Sequence, residues 1–285
     1  MSFNFPFSKH PIMVPNPSPR WLSLYLSGTP KMTHNLLVRE LVPTLHEAAF
    51  LPWISNWFFV RYWDELPQLR FRVLVSKLKE AELKGSLENR LAHYLKDHQL
   101  WGMEWKSYVP DLERYSVTNM DAVEELFRWQ SEHALQLFQE KRGEEKRLSR
   151  ILQLLPQLLQ STYPSLHQQK IFIKTQRDYF QGRIQFSTHS KKAISKAYRK
   201  LAPQLDIEEL LATTSATLTP PIENMAVLFP EIQGKTESER SRILRDIFHM
   251  GINKCFLTDH DQWEFLIYEF LDRAYASHIA RSKEQ

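Results

Sequence analysis

Trp57-Phe58-Phe59-Val60-Arg61-Tyr62-Trp63-Asp64-Glu65-Leu66-Pro67-Gln68-Leu69-Arg70-Phe71-Arg72 holds two runs of aromatic, β-branched and aliphatic residues around an acidic turn with a proline. Such a pattern reads as two strands joined by a short connection. In the second run Leu69, Phe71 and Val73 alternate with Arg70 and Arg72. Side chains on a strand repeat every second residue, so both guanidiniums leave one face of the sheet. Arg61 and Asp64 fall near the end of the first run, close to the turn. Each guanidinium offers a rigid fork of donors suited to carboxylate or phosphate. Two charges alone would read as a solvated strand face; the aromatic density around them points to the wall of a site.

Working outward, residues 1–19 carry five of the 16 prolines and no periodicity, and read as an extended arm ahead of one domain over 20–285. Trp21 to Ser27 alternates as a strand, and Thr33 opens a helical segment that bends at Pro43. Ser86 to His98 is a helix, and Trp101 to Val109 is a strand stopped by Pro110. From Met120 onward the pattern is helical, with further helices at Leu152–Leu159, Ala193–Leu201, Ile207–Ala212 and Ser238–Met250. Thr258 reads as the N-cap of a last long helix, and 213–236 as a mobile surface loop. Strands early and helices late predict an α+β fold. Its largely antiparallel sheet comes mainly from the N-terminal half and is covered by helices from the middle and C-terminal part.

Composition narrows the function. The 285 residues are 42% hydrophobic and 25% charged, an ordinary soluble globular balance. Only 7 glycines occur, and neither GxGxxG nor a P-loop is present, which argues against nucleotide and dinucleotide folds. One cysteine, Cys255, excludes internal disulfides and multi-cysteine metal sites and fits a reducing, cytoplasmic setting. The sequence has no apolar run long enough to span a bilayer and no signal-peptide pattern. A net charge of +4 is a mild pull towards anions, not a nucleic-acid signature. No nucleophile elbow or HExxH pair is found, and His249 and His260 lack the spacing of helical metal ligands.

What remains is cationic and acid–base in character: Arg61, Arg70, Arg72, Asp111, Arg114, His249 and Lys254. The spacing of Asp111 and Arg114 allows an ion pair, which on a surface contributes below ~1 kcal/mol. His249 stands before Met250-Gly251, with Asn253 and Lys254 following. At a helix C-terminus the dipole would favour its charged form and bring its titration near neutrality, fit for a proton donor or acceptor. A lone histidine among apolar residues is more often a satisfied structural group, and spacing leaves the two readings open.

At these residues the chain resembles a known family. WFFVRYWDELPQLRFR, YVPDLERYSV and HMGINKCF look like the C-terminal, glutamate-eliminating domain of class I lantibiotic dehydratases. That domain also occurs as free-standing proteins of thiopeptide-type pathways. The resemblance implies a lyase that expels glutamate from a glutamylated Ser or Thr of a ribosomal precursor peptide, leaving a dehydroamino acid, without a cofactor. By motif position it casts His249, Arg114 and Arg72 as catalytic. Arg70, Arg61, Asp111, Lys254, Asn253 and Gln68 would bind substrate. An enolate formed at Cα and the departing glutamate are both anions that such cations stabilise. The sequence departs from the family pattern at Gln68, Asp111, Ser116 and Lys254, where the family carries His, Glu, Gly and Arg.

The implied partners are the precursor peptide and a separate glutamyl-tRNA-dependent glutamylating protein, since the dehydratases' long N-terminal domain has no room in 285 residues. No nucleic acid or membrane is expected to be a direct partner, and homodimerisation is left open. Two alternatives stand beside the lyase. One is a thiopeptide pyridine synthase, joining two dehydroalanines with release of the leader. The other is a non-catalytic subunit that binds the leader, for example by strand addition at a sheet edge.

Overall fold

The computed structural model describes residues 18–115, 117–139, 143–184, 188–212 and 228–282. Most of the proposed arm, Ser116 and positions 213–227 of the proposed loop lie outside them. The chain divides into two compact units: unit 1 is residues 1–111 and 130–139, and unit 2 is 112–129 and 140–285.

Unit 1 is built on a four-stranded antiparallel sheet of β1 (Pro19–Ser27), β2 (Ile54–Trp63), β3 (Pro67–Ser76) and β4 (Gly102–Ser107). The spatial order is β2-β3-β1-β4. The fold class, α+β with an antiparallel sheet from the N-terminal half, is the one the alternation predicts. The period-two pattern resolves cleanly: Leu69, Phe71, Val73 and Val75 are buried, with Leu22, Leu24 and Leu26 of β1 on the same face. Onto this side come α1 (Pro30–Leu36), which packs on β3, then a π-helical turn (Leu37–Leu41) and α2 (Val42–Leu45). Pro43 follows the π-helical turn within one continuous helical run, where the hydrogen-bonding pattern changes from π to α. Helix α3 (Glu80–Lys96) starts six residues earlier than Ser86 and buries Leu83, Leu87 and Leu91. Edge strand β2 is tied down by Ser131, whose Oγ accepts from the Phe59 N–H at 3.2 Å. That bond occupies an edge donor that would otherwise be open to strand pairing.

Unit 2 holds helices and no strand among its described residues. It holds α4 (Leu112–Tyr115), the first half of α5 (Met120–Gln139), α6 (Gly143–Thr162), α7 (Leu166–Gln181), α8 (Thr188–Leu201) and α9 (Ile207–Ala212). The described part of α10 is 228–233, so the end of the expected loop is helical. Helix α11 (Glu237–Cys255) and α12 (His260–Arg281) follow. Helix α7, which the periodicity did not reveal, is the main packing partner of α12. Between them the Tyr275 hydroxyl donates to Gln169 Oε1 at 2.6 Å, and Phe180 stacks on Tyr268 with centroids 6.0 Å apart. The N-cap of α12 is Asp259, in the left-handed region at φ 58°, and not Thr258. Thr258 instead donates its hydroxyl to Asp259 Oδ2 at 2.7 Å. Aspartate tolerates that backbone conformation better than a β-branched threonine would. Helix α11 begins with a capping box between Thr236 and Glu239.

Among the described residues no helix is long and apolar enough to cross a membrane.

Candidate functional site

The sequence-predicted residues fall in both units. In unit 1 the register puts Arg70 opposite Tyr25 and Val60, and Arg72 opposite Ser23 and Phe58. Residues directly opposite in antiparallel strands share a face, so this one carries Arg70, Arg72, Tyr25, Ser23 and Phe58. Ser23 pairs in turn with Lys106 of β4. The guanidinium of Arg70 lies 3.5 Å from the Tyr62 ring centroid and 4.8 Å from that of Tyr25. The Arg72 guanidinium lies 4.3 Å from Tyr108 and 5.2 Å from Phe58. Neither arginine has a carboxylate partner among the described residues, and the Nε atoms of both are buried without a hydrogen-bond partner there. Gln68 accepts weakly from Arg70 at 3.4 Å. Rings hold the two forks in place by cation–π contact without using up their donors. Such a surface is suited to an external carboxylate.

Arg61 is separated from this pair. Its register partner is Leu69, which places it on the opposite, core-side face. It is buried, with one amine 3.0 Å from His34 Nδ1 and its guanidinium 5.2 Å from the Phe59 ring and 5.7 Å from Phe138. Asp111 is exposed at the last position of that stretch of unit 1, just before α4.

In unit 2 three helices converge. Arg114 of α4 donates from Nε to Asp246 Oδ2 at 3.1 Å, and its backbone carbonyl accepts from Arg242. Asp246 also accepts from Arg245 Nε at 3.3 Å. The carboxylate is largely enclosed at 9% side-chain exposure, while Arg114 keeps 38%. One helical turn further along α11 stands His249. It is six residues before the end of the helix at Cys255, which runs through Gly251, so the dipole argument does not apply there. Its Nδ1 is instead hydrogen-bonded to Glu264 Oε1 of α12. Glu264 is wholly buried at 0% exposure, yet the His249 side chain retains 31%. Burial opposes the charged imidazole, but the hydrogen bond and charge of Glu264 outweigh it and raise the His249 pKa above its ordinary value. Burial likewise raises the Glu264 carboxyl, against the pull of His249.

Asn253 and Lys254 follow His249 on α11. Asn253 Nδ2 lies 3.3 Å from His260 Nδ1, and His260 Nε2 lies 3.1 Å from the Phe256 carbonyl. Lys254 is fully buried, its ammonium 4.9 Å from the centroid of Phe127. Both side chains are buried.

The site of unit 2 is therefore an imidazole backed by a buried carboxylate, beside an arginine held by a second carboxylate. That arrangement can move a proton through the exposed edge of His249 and stabilise a nearby negative charge. Two of its members, Asp246 and Glu264, were missed in the sequence. Asp246 precedes His249 by one turn. Glu264 is an acid on the stripe of Ile267, Tyr268, Leu271 and Tyr275, all buried, and a charge at a core position is a signal in itself.

No curated protein sequence matches the chain. Solved structures do. The tRNA-dependent lantibiotic dehydratase MibB from Microbispora sp. 107891 is similar with a TM-score of 0.69 and 19% identity, over 95% of this chain and 29% of that one. The present chain thus spans under a third of MibB. TsrL matches with a TM-score of 0.68 and 13% identity, over 92% of this chain and 96% of its own. TbtD, the pyridine synthase of thiomuracin biosynthesis, gives 0.63 and 13% over 90% and 98%. At these identities the likeness is one of fold. The family model described as lantibiotic biosynthesis dehydratase C-term, however, matches residues 21–275, and the chain belongs to that family.

Proposed function

We propose that this protein eliminates glutamate from glutamylated Ser or Thr residues of a ribosomal precursor peptide, giving dehydroalanine or dehydrobutyrine. The observation that carries the reading is the His249 imidazole, exposed on one side and bonded to buried Glu264 on the other, next to Arg114. With Nδ1 engaged, Nε2 is the nitrogen available for a proton. In the reaction, His249 takes the Cα proton, the electron pair forms the Cα=Cβ bond, and the Cβ–O bond breaks to release glutamate as a carboxylate. Arg114 offers a cation for the enolate charge that develops before the bond breaks. Considered by itself, the unit 1 surface of ring-held Arg70 and Arg72 is suited to binding a carboxylate. The glutamyl ester is supplied by a glutamyl-tRNA-dependent activity, and the precursor peptide is the direct partner.

A second reading, formal cycloaddition of two dehydroalanines with release of the leader, is supported by the similarity in fold to TbtD. It has no need of a glutamate clamp, so Arg70 and Arg72, without a carboxylate partner among the described residues, favour elimination. Incubation with a glutamylated Ser peptide bearing its leader, followed by mass, tests the choice. Loss of glutamate to a dehydroalanine-mass product is expected, and His249→Ala should abolish it with peptide affinity nearly unchanged. An intact ester, with conversion of a dehydroalanine-containing peptide instead, would establish the synthase. Binding of the peptide without either conversion would leave a leader-binding subunit.

A further inference from the structure

We infer that Glu264 is a positioning residue for His249: from its buried place on α12 it holds the proton on Nδ1, so that Nε2 on the exposed edge is the nitrogen that exchanges protons with substrate. This rests on the elimination reading for the identity of the reaction, but the dyad itself stands on geometry.

The geometry is asymmetric in an informative way. Glu264 is wholly buried, while His249 keeps 31% of its side chain exposed. One oxygen, Oε1, bonds Nδ1; the other, Oε2, is buried with no hydrogen-bond partner among the described residues. An ionised carboxylate with an orphaned oxygen is costly to bury, and a structural role would be met at lower cost by an apolar residue of similar size. A turn further along α12 the hydroxyl of Tyr268 is also buried without a partner there. Among the described residues the imidazole is the one cation that bonds Glu264; the Nε of Arg245 bonds Asp246. The carboxylate is thus committed to the one ring. A neutral imidazole bonded in this manner has its tautomer chosen for it, with Nδ1–H towards the acid.

Other charged groups also face the dyad. From α4, Arg114 disfavours the imidazolium; on α11 itself, Asp246 favours it. Asp261, in the first turn of α12, disfavours ionisation of Glu264, and Arg245 favours it. Of the influences on His249, Glu264 is the strongest that favours its charged form. Replacing it with glutamine removes the charge and frees the ring to take either tautomer. Burial and Arg114 then push the imidazole below its ordinary value.

Two readouts test this. The first needs no substrate: ring-15N-labelled histidine in the whole protein, with His249 assigned by its loss in His249→Gln, reports both tautomer and titration. The wild type is expected to carry Nδ1–H, and Glu264→Gln to titrate at lower pH with a mixed tautomer. Glu264→Asp, which keeps the charge on a shorter arm, is expected to recover part of the shift. An Nε2–H tautomer in the wild type overturns the inference even if neither variant folds. So does a titration unmoved in Glu264→Gln. The second readout is the pH profile of glutamate release. Glu264→Gln should lose about 10- to 1000-fold in kcat, and Glu264→Asp less. The acidic limb in Glu264→Gln should move to lower pH in step with the titration. Full kcat in a variant whose tautomer has changed would also overturn it. If the wild type releases no glutamate while the tautomer and shift are as expected, the elimination reading fails and the dyad stands.

Discussion

Asp246→Asn is the most informative perturbation of the unit 2 site. Both carboxylate oxygens accept from guanidinium Nε–H groups, Oδ2 from Arg114 and Oδ1 from Arg245. Asparagine keeps the shape but only one acceptor, and its amide then points donors at a donor. One of the two bonds is lost and the other becomes neutral-to-charged. A hydrogen bond to a charged group is worth about 1.5–3 kcal/mol, and solvent around the partly exposed arginines (38% and 25%) draws this towards the lower end. We therefore expect a loss of about 1.5–2 kcal/mol, read as a fall in the urea midpoint at unchanged slope. Because Asp246 is 9% exposed, the loss should persist in 0.5 M salt, unlike that of a solvated pair. Arg114 also loses the contact that aims it, so glutamate release should fall by about tenfold for each 1.4 kcal/mol of orientation lost. A double-mutant cycle with Arg114→Gln isolates the pair. A coupling energy below ~0.3 kcal/mol would refute the reasoning, since Asp246 would then be compensated by water and not by Arg114.

Other outcomes follow from the same structure. Arg61→Ala, buried against His34, Phe59 and Phe138, should destabilise unit 1 by about 2 kcal/mol or more. Arg70→Ala on the other face should change stability by under ~1 kcal/mol but weaken the substrate KM; equal stability losses would contradict the face assignment. Tyr275→Phe leaves Gln169 Oε1 without its 2.6 Å donor in a buried setting, and calorimetry should show a loss of about 1–3 kcal/mol. The pH dependence of the dyad has a definite sign. His249 is raised in the fold, so its contribution is fully present below its unfolded value near 6.5 and is lost as pH rises through the folded value. Glu264, also raised, costs stability as pH climbs above its unfolded value near 4.5, in the same direction. The stability deficit of Glu264→Gln should hence be larger at pH 6 than at pH 9, and a deficit growing with pH would contradict the shared proton.

Local pattern carried a great deal in this protein. Leu69, Phe71 and Val73 alternating with Arg70 and Arg72 determined the strand, its buried face and the common side of the two guanidiniums, because a period of two is a property of the backbone alone. The three motif stretches likewise carried the family, and the order of strands and helices carried the fold class. Register and inter-helix contacts are different in kind. Closeness in sequence groups Arg61 with Arg70 and Arg72, yet the hairpin connection sets it opposite Leu69 and so on the other face. Gly251 suggests a helix end just after His249; packing carries α11 on to Cys255 and overrides glycine's modest local cost. Arg114 meets Asp246 across 132 residues, and His249 meets Glu264 on the next helix, 15 residues away. Which side chains face one another across such separations depends on how helices pack, not on spacing along the chain. Helical phase showed that Glu264 belongs to a buried stripe; only the docking of α12 against α11 decided that the group waiting there was His249.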